Sequence, residues 1–316
     1  KRDAGGFLLF VFLLPYVCAS LWGHVGEETE KLRQREGVPQ AQEAAGYEIL
    51  VKYDWGVWAL PLEEYLVYKL STVMPQEYEK EALKAQAVLL RTEVVEALRE
   101  EDTKSLQISG GGMERWYETD TGSEAYLPWR QAVEETAGLY LCCEGEPIQA
   151  SYFKLSNGQT RDAAEVWDTD TRPYLTGISC VQDKAARDYS STVKVSRTNY
   201  VRTLQARLTG NFSQQEILEG AAVSYDSAGY VTKVSFSAEN KETQEIDGEE
   251  FRYLFDLPSA SFEMEQEKTQ VIFRVTGVGH GFGMSQYGAN CMALNGETYD
   301  QILAEFFFRT ELAKFE

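Results

Sequence analysis

The sequence predicts an α+β protein: a single mixed globular domain, residues 47–316, behind an N-terminal membrane segment. Three observations carry this. Strand-like alternations and helical patterns interleave along the chain without the regular βαβ rhythm of a doubly wound sheet. One long segment, from Glu77 to Arg99, reads as a helix buried on most sides. The 316 residues, 43% of them hydrophobic, suffice for one large core or two modest ones.

The chain opens KRDAGGFLLFVFLLPYVCASLWGHVGEE, a basic start followed by an apolar run from Phe7 to Trp22 and then acidic, polar sequence. This is the pattern of an export signal. The run is slightly short for a spanning helix of about 20 residues, and Gly5 and Gly6 extend it. Residues 1–25 are therefore expected to act as a signal-anchor at the cell membrane, with Trp22 at the interface and the basic flank leaving the remainder extracytoplasmic. Val17 and Ala19 also suit a signal-peptidase site, which would give a secreted product. Residues 26–46, charged, Gln-rich and poor in large apolar side chains, read as a spacer.

The predicted elements of the domain follow in order. Tyr47 to Ala59 reads as a strand pair, through ILVKY and VWAL. LPLEEYLVYKL carries apolar residues at helical spacing, and Pro75 interrupts it. Glu77, Glu79 and Glu81 crowd the predicted start of the long helix, where they complement its dipole. GLYLCCEGEPIQASYFKLS reads as two strands joined at Glu144-Gly145-Glu146. Polar helices are expected near Thr198–Arg207 and Ser213–Gly220, strands at VTKVSFSA and TQVIFRV, and a last helix near Tyr299–Phe307.

A net charge of −20 excludes a nucleic-acid backbone as partner, because phosphate binding needs a basic face. Two histidines and five cysteines without C-x-x-C spacing give no zinc pattern, so no metal and no cofactor is expected. Cys142 and Cys143 should point to opposite faces of a strand, one buried and the other available for a disulfide. The glycines at 277, 279, 281 and 283 lack G-x-G-x-x-G spacing, and GMSQYG lacks the second glycine of a nucleophile elbow. Glycines at these positions do permit positive φ and a close approach to another surface. Lys84 and Arg91 lie seven residues apart, about 10 Å along one helix face. Two cations on a buried helix need carboxylates, carbonyl groups or a ligand.

Several segments together resemble the stage II sporulation protein D (SpoIID) and LytB amidase-enhancer family. EEYLVYKLSTVMP corresponds to the family's Glu-Met-Pro segment, and EALKAQAVLLRT to its hallmark helix. ASYFKLSNGQTRDAAEVW with RPYL is similar to its central loop, GEEFRYLFDLPSASFEM to its Leu-Pro-Ser segment, and GVGHGFGMSQYGANCMALNGETYDQIL to its C-terminal signature.

The resemblance implies an extracytoplasmic domain acting on peptidoglycan glycan strands in cell-wall remodelling, in sporulation during engulfment. Amidase or membrane proteins are the implied partners. The family's activity is that of a lytic transglycosylase, in which one carboxyl protonates the glycosidic oxygen and then accepts the proton of the sugar's C6 hydroxyl. That glutamate stands immediately before Met-Pro, where this chain has Val73. Valine has no proton to give. Lys84 and Arg91 match the family's basic positions, while Ser156, Thr160, His280, Ser285, Gln286 and Tyr287 match positions implied to bind substrate. Lys154 stands where many relatives have a histidine that some use for zinc. Three outcomes stay open: a substitute acid (Glu77, Asp162 or Glu165), a glycan-binding or recruiting domain without catalysis, or an amidase enhancer that never needed the glutamate.

Overall fold

A computed structural model describes residues 47–53, 56–109, 113, 124–167 and 171–314, and these form an α+β fold. The expected membrane segment and spacer lie outside the described residues. Among the described residues no helix is long and apolar enough to cross a membrane.

Strands β1 (Glu48–Tyr53) and β2 (Gly56–Pro61) form the expected antiparallel pair, with Ile49 opposite Leu60 and Val51 opposite Trp58. Helix α1 (Leu62–Val73) follows without a linker and buries Leu62, Tyr65, Leu66 and Leu70, a stripe at helical spacing. It stops because Met74 precedes Pro75: the proline ring disfavours helical backbone at Met74, which is extended at φ −137° and ψ 130°. Val73 is thus the last helical residue, and its carbonyl oxygen has no partner within the helix.

Helix α2 (Lys80–Glu100) is the central element, and it begins at Lys80 instead of the expected Glu77. The intervening residues turn, with the Tyr78 N–H donating to the Pro75 carbonyl at 3.3 Å. The N–H of Glu79, at the helix start, donates to Asn290 Oδ1 at 2.7 Å, so a distant residue sets the boundary. From Ala82 to Leu98 most of the helix is buried. It packs on α1, on α3 (Leu127–Glu135) and on β4 (Leu139–Cys143), while β3 (Ser105–Ser109) extends the first sheet parallel to β1.

The expected hairpin after β4 is shorter than its sequence suggests: β5 spans only Glu146–Pro147, and β6 (Tyr152–Phe153) leaves to pair elsewhere. Cys142 is buried and Cys143 partly so, and Cys142, Cys143, Cys180 and Cys291 are all free thiols. A short helix α4 (Ala163–Trp167) closes the central loop.

Residues 190–276 build a second core. Here β7 (Ser190–Ser196), α5 (Arg197–Arg207), α6 (Gln214–Glu219), β8 (Ala221–Tyr225), β9 (Val231–Phe236), β10 (Gln244–Asp247), α7 (Gly248–Leu254), β11 (Phe262–Gln266) and β12 (Gln270–Thr276) form two three-stranded sheets, β10-β9-β8 and β11-β12-β7. Phe251, Phe255, Phe262 and Phe273 cluster between them, with ring centroids 4.9–6.0 Å apart among the contacts Phe251 makes. The lobe is tied to the first core by an ion pair between Arg161 Nε and Asp226 Oδ2 at 2.7 Å, both side chains almost wholly buried.

The chain then returns through the glycine-rich loop to β13 (Met284–Ser285), α8 (Gln286–Leu294), α9 (Tyr299–Phe306) and β14 (Glu311–Lys314). β13 pairs parallel with β6, placing Ser285 opposite Phe153. The close approach expected of the glycines is explicit at Gly283: φ is +74°, and a Cβ there would lie 2.0 Å from the Ser151 carbonyl oxygen.

Candidate functional site

An open cleft of about 370 Å³ forms where three distant segments meet. Its floor is the end of α1, Ser71 to Pro75, with Tyr78 from the following turn, and Lys154 and Gln286 face them. Val73 is therefore on the cleft. Among the described residues, none of those lining it carries a carboxylate.

The cleft is held together by Gln286. Its Nε2 donates to the unpaired Val73 carbonyl at 3.1 Å and to Gln86 Oε1 at 3.0 Å. Helix α8 thereby satisfies the end of α1 directly and ties it to the middle of α2. The backbone N–H of Tyr287 donates to the Lys154 carbonyl at 3.2 Å, which fixes the other wall.

Lys154 Nζ pairs with Asp188 Oδ2 at 2.9 Å, both side chains more than half exposed. Asp188 is the carboxylate this pairing brings nearest to the cleft. The hydrogen bond and charge of Lys154, with Arg187 adding to the positive field, hold its carboxyl below the usual carboxylate range. Burial raises the Tyr78 phenol, and the nearby Tyr287, Cys291, Asp183 and Asp188 raise it further. Neither group is poised to donate a proton near neutral pH.

The three sequence-derived substitute acids lie elsewhere. Glu77 is exposed in the turn before α2 and accepts a long bond from its neighbour Gln76 at 3.5 Å. Asp162 accepts from the Ala164 N–H at 2.8 Å and so starts α4. Glu165 accepts from the N–H and hydroxyl of Ser227, at 2.7 and 2.5 Å, and ties α4 to the second lobe. None of the three lines the cleft.

Lys84 and Arg91 are likewise held away from it. Lys84 Nζ is 2.8 Å from Glu81 Oε1 and 3.8 Å from Glu135, and lies 4.5 Å from the Tyr299 ring centroid. Arg91 is fully buried: it makes two bonds to Glu63, at 2.9 and 2.6 Å, and donates to the carbonyl groups of Leu139 and Val133. The Val133 carbonyl lies in the last turn of α3, where a cation complements the helix dipole.

The remaining residues form a scaffold behind the cleft. Ser285 caps α8, accepting from the Gly288 N–H at 3.2 Å, and its hydroxyl donates to Asp183 Oδ2 at 2.6 Å. The same oxygen accepts the Ser156 N–H at 2.8 Å. Burial raises the Asp183 carboxyl above its usual range, and the bonds from Ser156 and Ser285 oppose that rise. Thr160 is buried and bonded to the backbone of residues 176 and 178. His280 Nδ1 accepts the Phe282 N–H and its Nε2 lies 3.1 Å from the Tyr152 carbonyl, which defines a neutral ring with the proton on Nε2. Burial, with the charges of Arg252 and Arg161, pushes its pKa down to about 4.

Asp183 and Asp188 are the residues that sequence reasoning missed. Both sit in the unpatterned run VQDKAARDY, and the partners of Asp183 lie 27 and 102 residues away in sequence. No local signal marks them.

The fold and cleft define the class: an α+β protein whose groove is assembled from a helix end at Met-Pro, Lys154 just before a central Ser-Asn-Gly loop, and Gln286 just after a glycine-rich C-terminal loop. A family model described as stage II sporulation protein matches residues 55–142. Stage II sporulation protein D of Bacillus subtilis is 31% identical over 268 residues, covering 81% of this chain and 75% of the relative. The corresponding protein of Bacillus amyloliquefaciens is 29% identical over 275 residues, with the same coverage. An amidase enhancer of Bacillus subtilis is 26% identical over 289 residues, covering 77% of this chain and 39% of that protein. The chain belongs to the stage II sporulation protein D family.

Proposed function

We propose that this chain acts at the peptidoglycan of the cell wall, outside the membrane, holding glycan strands in the cleft beside Val73 and assisting a partner hydrolase without supplying the acid of a lytic transglycosylase. Membership of the sporulation family and the similarity to an amidase enhancer support a cell-wall role in sporulation. The basic, then apolar, N-terminus supports export and anchoring. The observation that carries the non-cleaving part is the chemistry of the cleft: at the position that the resemblance gives to the acid stands valine, and the nearby Asp188 is kept ionised by Lys154. An ionised carboxylate can accept a proton but has none to deliver to a glycosidic oxygen. Losing a general acid lowers rates by roughly 10²–10⁴-fold.

The test incubates the full chain with stem-peptide-free glycan strands and looks by mass spectrometry for anhydromuramic-acid ends, with Val73→Glu run beside it. The expected result is binding without new ends for the native chain, and ends from the variant. Anhydro ends from the native chain at a rate matching the variant would sink the proposal and send the search to Asp188.

A further inference from the structure

Among the described residues, the cleft lining carries a cation and no carboxylate. Lys154 is the charged side chain among the described residues that line it, in a chain whose net charge is −20. Its partner Asp188 stands outside the lining, and the ion pair is open to solvent on both sides, with 54% and 59% of the side chains exposed. Such a pair exchanges readily for another anion, because water screens it and neither side chain is fixed by burial. Arg187 adds to the positive field beside Asp188. Across from Lys154, Val73 and Pro75 present apolar atoms and Tyr78 a ring, which suit the C–H face of a sugar. Gln286 spends its Nε2 on two protein acceptors, and its Oε1 accepts no bond among the described residues, leaving it to receive an amide N–H or hydroxyl.

We propose that Lys154 is a specificity-determining residue that reads a carboxylate on the bound sugar, the lactyl carboxylate of muramyl residues, which is free once the stem peptide has been removed. This rests on the glycan-strand reading above and deepens it. The ligand's carboxylate takes the place of Asp188 on Lys154 while the sugar ring lies over the Val73 floor. Glutamate at position 73 would bring a like charge to the same cleft. Valine there adds no negative charge to the cleft lining, so Asp188 is the carboxylate an anionic ligand has to displace from Lys154.

The test measures binding of the full chain, at low and at physiological salt, to denuded strands, to the same strands with lactyl carboxylates converted to methylamides, and to N-acetylglucosamine oligomers. The native chain should favour the carboxylate strands by roughly two- to fivefold at low salt, with the preference shrinking as salt rises. Lys154→Gln should abolish the preference, Lys154→Arg should keep it, and Asp188→Asn should widen it by freeing the lysine. Equal binding of carboxylate and amidated strands by the native chain, or an undiminished preference in Lys154→Gln, overturns the assignment while leaving glycan binding intact. Failure to bind any strand overturns the glycan reading itself, and this inference with it.

Discussion

Gln286 Nε2 donates to the carbonyl oxygen of Val73 at 3.1 Å, across 213 residues of sequence. The contact joins the two family segments that matter most here, the helix end before Met-Pro and the C-terminal signature. It depends on the main chain of residue 73 and not on its side chain. The architecture of the cleft therefore survives whatever side chain occupies that position, which is why Val73→Glu is expected to fold.

Replacing Gln286 by leucine removes that bond and leaves Gln86 Oε1 and the Val73 carbonyl without a donor. Loss of about 1–3 kcal/mol of stability is expected, the usual cost of stranding buried polar groups. Urea denaturation checks it; a Gln286→Leu chain as stable as the native one would show that water replaces the amide.

Asp183→Ala should be more damaging than its position in an irregular segment suggests. The Ser156 N–H and the Ser285 hydroxyl would both lose their acceptor, and the N-cap of α8 its support. Amide hydrogen exchange should accelerate in α8 first. Asp183→Asn, which keeps one acceptor oxygen, should lose less.

Arg91→Met is expected to cost roughly 1–3 kcal/mol, since it removes the partner of the partly exposed Glu63 carboxylate and leaves two carbonyl groups without their donor. Because this guanidinium lies outside the cleft, the strand affinity of the folded variant should stay near that of the native chain. A selective loss of binding with unchanged stability would instead place Arg91 in ligand recognition.

Stability should depend on pH in two opposed ways. His280 titrates near 4 in the fold and near 6.5 when unfolded, so between those values the unfolded chain binds the extra proton and stability falls as pH drops. Glu93 and Glu96 in α2 are raised, mainly by burial, to about 8 and about 7 from an ordinary 4.5. From pH 4.5 up to those values the folded chain holds the extra protons, so stability falls as pH rises. Melting curves from pH 4 to 8 should show His280→Gln flattening the acid limb and Glu93→Gln the neutral-to-alkaline one. Unchanged limbs would mean that water reaches these groups.

Local pattern sufficed for much of this protein. Apolar spacing marks α1 and α2, alternation marks β1, β2, β9 and β12, and the Met-Pro and glycine-rich segments mark the family, because backbone propensity and motif identity are written in neighbouring residues. That residue 73 is a valine, with no proton to give, was equally legible, since the absence of a proton needs no coordinates. The starting point of α2 was not, because Asn290 sets it from 211 residues away. Nor were the roles of the charged residues. Lys84, Arg91, Asp162 and Glu165 all looked available for chemistry; Lys84 and Asp162 are held by partners two or three residues away, while Arg91 and Glu165 found theirs only when distant segments closed around them. Asp183 and Asp188 had no signal, since a carboxylate acquires its character from what surrounds it. What a residue is belongs to the sequence; whether its charge is buried, paired or left facing the cleft was decided only by tertiary packing, because desolvation and Coulomb interactions act through space and not along the chain.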